Sequence, residues 1–252
     1  MAKTFTVDDA FGLAKKLAKG IPFAGIDLTI ANIVNATIYK AFPWRDTLKS
    51  STPAGTSPTW TEVSLTDGNQ DFATGLTDIY RMTQFWITRT DTSPNQIRNI
   101  DVAKNIPIDL IPKSPYAVRQ ASYQAGINKF RLESAVSVPS GTTWTLGGEY
   151  QPHPTKLTDL ENPFWFDDEH LEVFAKGLVY WAYRLADDSR AGAMRTSDGK
   201  AVYTGALGEF MQAIDSMAGG EDFGNIDGYY PDWPIATVDA RRYYSNDVFP
   251  II

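Results

Sequence analysis

The sequence contains no cysteine and only two histidines, His153 and His170, among its 252 residues. Without thiols the chain cannot form a disulfide framework, a cysteine nucleophile, a zinc ribbon or a cysteine-ligated iron–sulfur site. Two histidines leave little material for a histidine base or a multi-histidine metal site. We therefore expect no metal site and no cofactor.

Long apolar runs are missing as well. One of the longest uncharged apolar stretches, Gly177 to Tyr183, has seven residues, far short of the roughly 18 that a membrane-spanning helix needs. Near the N-terminus, Lys15, Lys16 and Lys19 interrupt the apolar residues that a signal peptide would require, and Ala2 stands where myristoylation requires glycine. We expect no membrane partner, and synthesis in the cytoplasm without export.

The charge is unevenly distributed along the chain. Residues 1–59 carry a net charge of +3 and residues 60–157 a net charge of 0, whereas residues 158–252 carry seven basic and seventeen acidic residues. A surface that grips DNA would need the opposite sign. The acidic third is either a solvated face or a surface that repels nucleic acid and lets it slide past.

Two helices are predicted in the first 50 residues. Thr6-Val-Asp-Asp9 has the form of a capping box and is followed by apolar residues at helical spacing. A second apolar stripe starts after Asp27 and ends before Pro43, with Trp44 at its exit. The turn-forming residues 50–58 then predict a linker.

Beyond the linker the apolar pattern changes to a period of two. Phe130, Leu132, Val136 and Val138 alternate with polar residues, and the alternation resumes after a turn at residues 139–142, from Trp144 onward. This pattern predicts an antiparallel hairpin. Further strand candidates are Trp60 to Leu65, Ile79 to Thr90 and Ile97 to Val102, and a short helix is considered within Pro115 to Ala125.

Helical spacing returns after Leu157. The apolar residues from Leu171 to Leu185 predict the strongest helix, and those from Tyr203 to Met217 predict a last helix, closed by Gly219 and Gly220. We expect these two helices to pair.

The expected fold class is α+β, with an α-helical bundle core, an inserted antiparallel β module and an extended aromatic C-terminal arm. The expected divisions are residues 1–49 (N-terminal part of the helical core), 50–58 (linker), 59–157 (β-rich insertion), 158–220 (C-terminal helix pair of the core) and 221–252 (the arm).

The C-terminal stretch is rich in aromatic residues but shows no periodicity. A segment that cannot form its own core is expected to bury such rings on the body of the chain or on a neighbouring subunit. Its aromatic residues are Phe223, Tyr229, Tyr230, Trp233, Tyr243, Tyr244 and Phe249.

Two groups of residues leave other functions open. Glu169 and Glu172 share one helix face and could form an acid/base or metal pair in a hydrolase, although acidic residues at a helix start have a simpler structural role. Trp60, Trp86 and Trp144 could form a platform that stacks on sugars, although tryptophans in strands more often belong to the core.

Several short motifs occur along the chain in a characteristic order. They are Ala31-Asn-Ile-Val-Asn-Ala36 with Phe42-Pro-Trp44, then Trp144-Thr-Leu-Gly-Gly-Glu-Tyr150 with Pro154-Thr-Lys-Leu-Thr158, then Leu171 to Asp188. In these motifs and in their order the chain resembles the head-to-tail adaptor proteins of tailed bacteriophages, also called connector or head-completion proteins.

The resemblance implies a structural virion protein with no catalytic site. In such families a helical core packs into a ring under the portal vertex, typically twelve-fold, and a C-terminal arm docks on the portal. Expected partners are further copies of the chain, the portal protein, a tail or nozzle protein, and double-stranded DNA that passes without sequence-specific contact. The expected location is the head-to-tail interface of the virion, assembled in the host cytoplasm.

By the same resemblance, residues 229–252 would form the docking arm. Its candidate partner-binding residues are Tyr229, Tyr230, Trp233, Tyr243, Tyr244, Phe249, Ile251 and Ile252. The alternative is a carbohydrate- or receptor-binding virion module that uses the aromatic residues of the β module, and a hydrolase centred on Glu169 and Glu172 ranks last.

Overall fold

The structure is a computed structural model that describes residues 5–18, 20, 21, 23, 25–52, 60–93, 95–197 and 200–219. The chain divides into two units, which are treated one at a time below. The first unit comprises Met1–Asp46 and Pro154–Ile252, and the second comprises Thr47–His153. The proposed arm, residues 221–252, and most of the predicted linker, residues 53–58, lie outside the described residues.

The described residues of the first unit form four helices: α1 (Val7–Leu17), α2 (Leu28–Ala41), α3 (Leu171–Leu185) and α4 (Gly205–Gly219). The predicted capping box is confirmed, because Asp9 Oδ2 accepts a hydrogen bond of 2.9 Å from the backbone N–H of Thr6. Asp27 caps α2 by accepting hydrogen bonds from the N–H groups of Thr29 and Ile30. The two predicted C-terminal helices are confirmed, and α3 and α4 contact each other.

A short hairpin precedes α4. Its strands are β10 (Met194–Ser197) and β11 (Lys200–Tyr203), which pair antiparallel. The sequence analysis did not predict this hairpin, because four-residue strands are too short to show a clear period of two. The apolar faces of the four helices share one buried cluster.

The second unit is a large mixed sheet that curls into a half-barrel. Its strands are β1 (Lys49–Thr52), β2 (Trp60–Thr61), β3 (Val63–Ser64), β4 (Asp71–Ala73), β5 (Ile79–Arg89), β6 (Gln96–Val102), β7 (Gln120–Gln124), β8 (Lys129–Leu132) and β9 (Trp144–Pro152). The strand order is β2-β1-β9-β5-β6-β7-β8-β4, and β3 also pairs with β9.

The expectation of a helical-bundle core with an antiparallel β insertion is therefore wrong. Among the described residues the structure has four helices and a large curled sheet, and that sheet is mixed, because β1 pairs parallel with β2 and β6 pairs parallel with β7. Several strands have only two to five residues, which is too short for a period of two to stand out, whereas helices of 11 to 15 residues show their stripe clearly.

The predicted hairpin between residues 130–138 and 144–150 is also wrong. Strand β8 pairs with β4 and β7, whereas β9 pairs with β1, β3 and β5. Alternation identifies a half-buried strand but does not identify its partner. Within residues 115–125 the structure has one 3-10 turn, at Pro115–Ala117, followed by strand β7. The strands expected near residues 79–90 and 97–102 are confirmed as β5 and β6.

Strand β9 pairs with β1, β3 and β5. At two glycines in its centre the neighbouring atoms leave no room for a side chain. A Cβ on Gly147 would lie 2.3 Å from Trp86 Nε1 and 2.7 Å from Glu62 Oε1. A Cβ on Gly148 would lie 2.4 Å from the carbonyl oxygen of Gln84 in β5. The neighbouring strands can approach β9 only because both positions are glycine.

None of the helices among the described residues has both the length and the apolar character that a membrane crossing requires.

We predict that Gly148→Ala lowers the free energy of unfolding by about 2–4 kcal/mol, because the methyl group forces the β5 backbone away from β9. Urea denaturation measures this loss. Gly126→Ala is the matched control, since a Cβ there meets no heavy atom within 4 Å. Equal stability of the two variants would contradict this account of β9.

Candidate interaction surfaces

The tryptophans proposed as a sugar platform are built into the second unit. Trp60 and Trp144 are buried; the Trp60 ring packs against Phe130 at a centroid distance of 5.7 Å, and Trp144 packs edge-to-face on Tyr116 at 4.5 Å. Trp86 is partly exposed, but its Nε1 donates a 2.8 Å hydrogen bond to Glu62. The structure therefore does not present these three rings as one exposed stacking surface.

The acidic pair proposed for a hydrolase lies at the start of α3. Glu172 forms an ion pair of 2.9 Å with Lys176, and Glu169 Oε1 lies 3.5 Å from His170 Nε2. Across the described part of the chain, no three Asp, Glu or His side chains come together in a way that could hold a metal ion.

These residues border an open cavity of about 410 Å³ between α3 and α4. Its lining includes the buried apolar residues Val173, Ala213 and Met217 and, among its polar side chains, the exposed carboxylates of Glu169, Glu172 and Glu209. We call this cavity the acidic hollow. Its accessible lining is more polar than apolar and carries more carboxylates than basic groups, which suits a basic partner better than an apolar one.

The second unit exposes a cluster of large aliphatic side chains that the sequence analysis missed. Ile108, Leu110 and Ile111 are 68%, 72% and 70% exposed, and they lie between Pro107 and Pro112. We call residues 107–112 the aliphatic loop. Isolated exposed apolar residues are common, but a contiguous exposed group of this kind marks an interaction surface.

The backbone of the aliphatic loop is held in place by hydrogen bonds to side chains. The buried Gln70 side chain donates from Nε2 to the Pro107 carbonyl at 3.0 Å, and its Oε1 accepts from the Asp109 N–H at 3.0 Å. Asp109 Oδ1 in turn accepts from the Ile111 N–H at 3.0 Å. The loop therefore presents its three side chains in a preformed shape, which lowers the entropy cost of binding.

An ion pair supports the start of this loop. Arg131 binds Asp71 through two hydrogen bonds of 2.7 and 2.9 Å, and its Nη1 donates to the carbonyl of the buried Ile106 at 3.3 Å. The hydrogen bonds from Arg131 hold the pKa of Asp71 below its ordinary value of 3.8, although partial burial acts in the opposite direction.

The sequence did contain a signal for the loop. Four large aliphatic residues, Ile106, Ile108, Leu110 and Ile111, fall within six positions beside two prolines. Prolines interrupt helices and central strands, so an apolar group beside them is expected in an irregular segment. Whether those side chains are buried depends on long-range contacts that the local pattern does not reveal.

Two of the motifs singled out in the sequence, residues 31–36 and 154–158, lie in the first unit and contact each other there. Asn32 of α2 exchanges two hydrogen bonds with the backbone of Leu157, at 2.8 and 3.0 Å. Asn35 donates to the Thr155 carbonyl at 3.3 Å and accepts from Trp165 Nε1 at 2.9 Å. Residues 31–36 and 154–158, which are far apart in sequence, are thus joined by hydrogen bonds into one cluster.

The segment that follows α2, with Pro43 and Trp44, packs beside these hydrogen-bonded residues. Trp44 is fully buried and its Nε1 donates a 2.7 Å hydrogen bond to the Ile38 carbonyl. The ring also packs against Trp165 at a centroid distance of 5.8 Å. Buried tryptophans of this kind fix the path of the chain after a helix.

The eight candidate arm residues, from Tyr229 to Ile252, lie outside the described residues. Comparison of the chain with protein-family models and with curated proteins found no match in either case.

We predict that Gln70→Ala loosens the aliphatic loop, because the Asp109 N–H and the Pro107 carbonyl lose their buried partner at a cost of about 1–3 kcal/mol. Amide hydrogen exchange of the peptide covering residues 105–112 should become faster. Gln124→Ala, which removes a partly buried amide on β7 that bonds Ser122, serves as the control. Unchanged exchange in the Gln70 variant would show that other contacts hold the loop.

We also predict a pH-dependent contribution from Asp71. Because its pKa is lowered in the folded protein, the ion pair stabilises the fold above the ordinary pKa of 3.8 and is lost as the pH falls through the lower folded value. Asp71→Asn should therefore cost about 1–2 kcal/mol at pH 7, and the difference from the natural chain should shrink toward pH 3. A pH-independent difference in urea denaturation would contradict this assignment.

Proposed function

We propose that this chain is a structural virion protein, a ring-forming adaptor that joins the portal vertex of a tailed bacteriophage to the tail and continues the DNA channel. The observation that carries the proposal is the hydrogen-bonded cluster formed by Asn32, Asn35 and residues 154–158. These residues belong to the motifs in which the chain resembles adaptor proteins, and they are distant in sequence but joined in the fold.

The roles of these residues explain why the motifs contain these residue types. Asparagine carries both a donor and an acceptor, so Asn32 satisfies the N–H and the carbonyl of Leu157 together. Asn35 likewise links the Thr155 carbonyl to Trp165. That two of these motifs are joined by hydrogen bonds in the fold supports the resemblance on which the proposal rests.

Protein-binding surfaces also support an assembly role. The aliphatic loop is an exposed, preformed apolar surface of the kind that binds other proteins. The C-terminal residues 221–252 add seven aromatic side chains, and aromatic residues are enriched at interfaces. The proposed partners are further copies of the chain in a ring, typically twelve, the portal protein through the arm, and a tail or nozzle protein.

The acidic C-terminal third fits a channel for DNA. Repetition of a subunit around an axis multiplies its negative charge, and like charge keeps DNA from adhering to a wall. DNA would then pass without sequence-specific contact. In this proposal the carboxylates act through their summed field and take no part in chemistry.

We predict that deletion of residues 229–252 leaves a folded protein that no longer joins particles. Circular dichroism and urea denaturation of the truncated chain should match the full chain, and complementation of particles that lack the protein should fail. Trp233→Ala should reduce incorporation of the chain into particles. Asp239→Asn lies in the same segment but removes no aromatic ring, so it should not reduce incorporation. Normal incorporation of the truncated chain would refute the arm as the docking element.

A further inference from the structure

We infer that two copies of the free chain bind each other through their aliphatic loops, in a dimer with two-fold symmetry. The inference goes beyond the proposed function, because a ring with a single rotation axis does not relate neighbouring copies by a two-fold contact. The dimer is therefore a state of the chain before assembly, and it separates when the chain joins a particle.

The aliphatic loop supplies the apolar area that one side of a dimer interface needs. Ile108, Leu110 and Ile111 are 68%, 72% and 70% exposed, and Pro107 and Pro112 at the two ends of the loop are exposed as well. Together these side chains present apolar area on the order of 400 Å². A standard interface buries about 800 Å² on each partner, of which roughly 57% is apolar. The loop therefore matches most of the apolar part of such an interface, and polar neighbours complete it.

The body of the second unit holds the loop in the shape that would bind. Besides the two hydrogen bonds from the Gln70 side chain, the Ala135 N–H donates to the Asp109 carbonyl at 2.9 Å. The Ala135 carbonyl in turn accepts from the Lys113 N–H, also at 2.9 Å. A loop that is anchored at both ends loses little backbone entropy when a partner covers its side chains.

The charges beside the loop are balanced, so two identical surfaces can meet without repulsion. Residues 101–119 together with Glu133 contain three basic and three acidic side chains. Lys113 Nζ lies 3.6 Å from Glu133 Oε1, and the exposed Asp101 is joined to the exposed Arg119 by a 2.8 Å backbone hydrogen bond. Both signs are thus present on each copy, and a two-fold contact can place a base of one copy opposite an acid of the other.

The distribution of charge along the chain favours a second copy at this surface. Residues 47–153 contain nine basic and nine acidic residues, whereas residues 158–252 contain seven basic and seventeen acidic residues. Two copies that approached each other through their acidic thirds would repel, but the second unit carries no net charge that opposes contact. The same neutrality gives nucleic acid or an anionic membrane no electrostatic attraction to the loop.

A contact between two identical surfaces closes at two copies, which makes the inference testable by mass. Sedimentation of the full-length chain from micromolar to submillimolar concentration measures the association. We expect the mass to rise from 27.9 kDa toward twice that value and to level off there.

A matched pair of substitutions locates the contact. Leu110→Asp should raise the dissociation constant of the dimer by about tenfold or more, because it places a carboxylate in an apolar contact without a partner. Ile97→Asp, at a position on β6 that is 62% exposed, should leave the dissociation constant unchanged. Both positions are exposed, and urea denaturation of each variant checks that the fold is intact.

The absence of cysteine from the sequence allows a second, independent measurement. Leu110→Cys in the full-length chain, treated with a short bis-maleimide, should give a cross-linked dimer. Ile97→Cys under the same conditions should give much less, because that position lies outside the loop.

A chain that stays monomeric over the whole concentration range would overturn the inference. So would a dimer that Leu110→Asp leaves unchanged, because another surface would then hold it together. A series of species larger than a dimer would also overturn it, since such a series requires contact between different surfaces.

Two further results would assign the loop to another occupant and would equally overturn the inference. One is a monomer that dimerises only after deletion of residues 229–252, which would show that this segment covers the loop. The other is a monomer that sediments with neutral phosphatidylcholine vesicles and loses this binding on Leu110→Asp. The proposed ring is tested separately, in native particles.

Discussion

The sheet of the second unit depends on the crowding around Gly147 and Gly148. Strand β9 pairs with β1, β3 and β5, so three strands approach it along the segment that contains the two glycines. On one side Gly148 faces the β5 backbone, and at Gly147 the available space is filled by Trp86, Ser51 and Glu62. The pair of glycines in the adaptor-like motif 144–150 therefore has a steric cause.

Polar side chains fill the space that the glycines leave. The buried carboxylate of Glu62 accepts hydrogen bonds from Trp86 Nε1 and from the Thr145 hydroxyl, and the Ser51 hydroxyl accepts from the Gly148 N–H at 2.9 Å. A buried carboxylate is tolerated when such donors surround it. These bonds link β1, the segment before β3, β5 and β9, so the sheet is joined by side chains as well as by its backbone.

The sequence predicted the elements whose signals are local. Asp9 and Asp27 mark helix starts, the apolar stripes of α1 to α4 indicate helices, and the β-branched and aromatic run of β5 indicates a strand. The sequence did not predict which strands pair with β8 and β9, because strand pairing depends on contacts between residues far apart in sequence. The same limit explains the wrong fold class: two- to five-residue strands are defined by the sheet into which they fit, not by their own pattern.

The candidate surfaces also differ in how much of each could be predicted from the sequence. The acidic residues at the start of α3 could be located from the sequence, but the hollow beside them is formed by the packing of α3 against α4. The exposure of Leu110 depends on the hydrogen bonds of Gln70, 40 positions earlier in the chain. By contrast, Asn32 and Asn35 belong to a motif that the sequence analysis had already singled out, and the structure adds their partners.

We propose that copies of this chain form a ring at the portal vertex. Electron-microscopy class averages of the native assembly that contains the chain test this claim most directly, because the contacts of an adaptor can require its partners. We expect a closed ring coaxial with the portal, with density of this chain repeated around the axis. A chain that sits singly, or in a peripheral spike away from that axis, would contradict it.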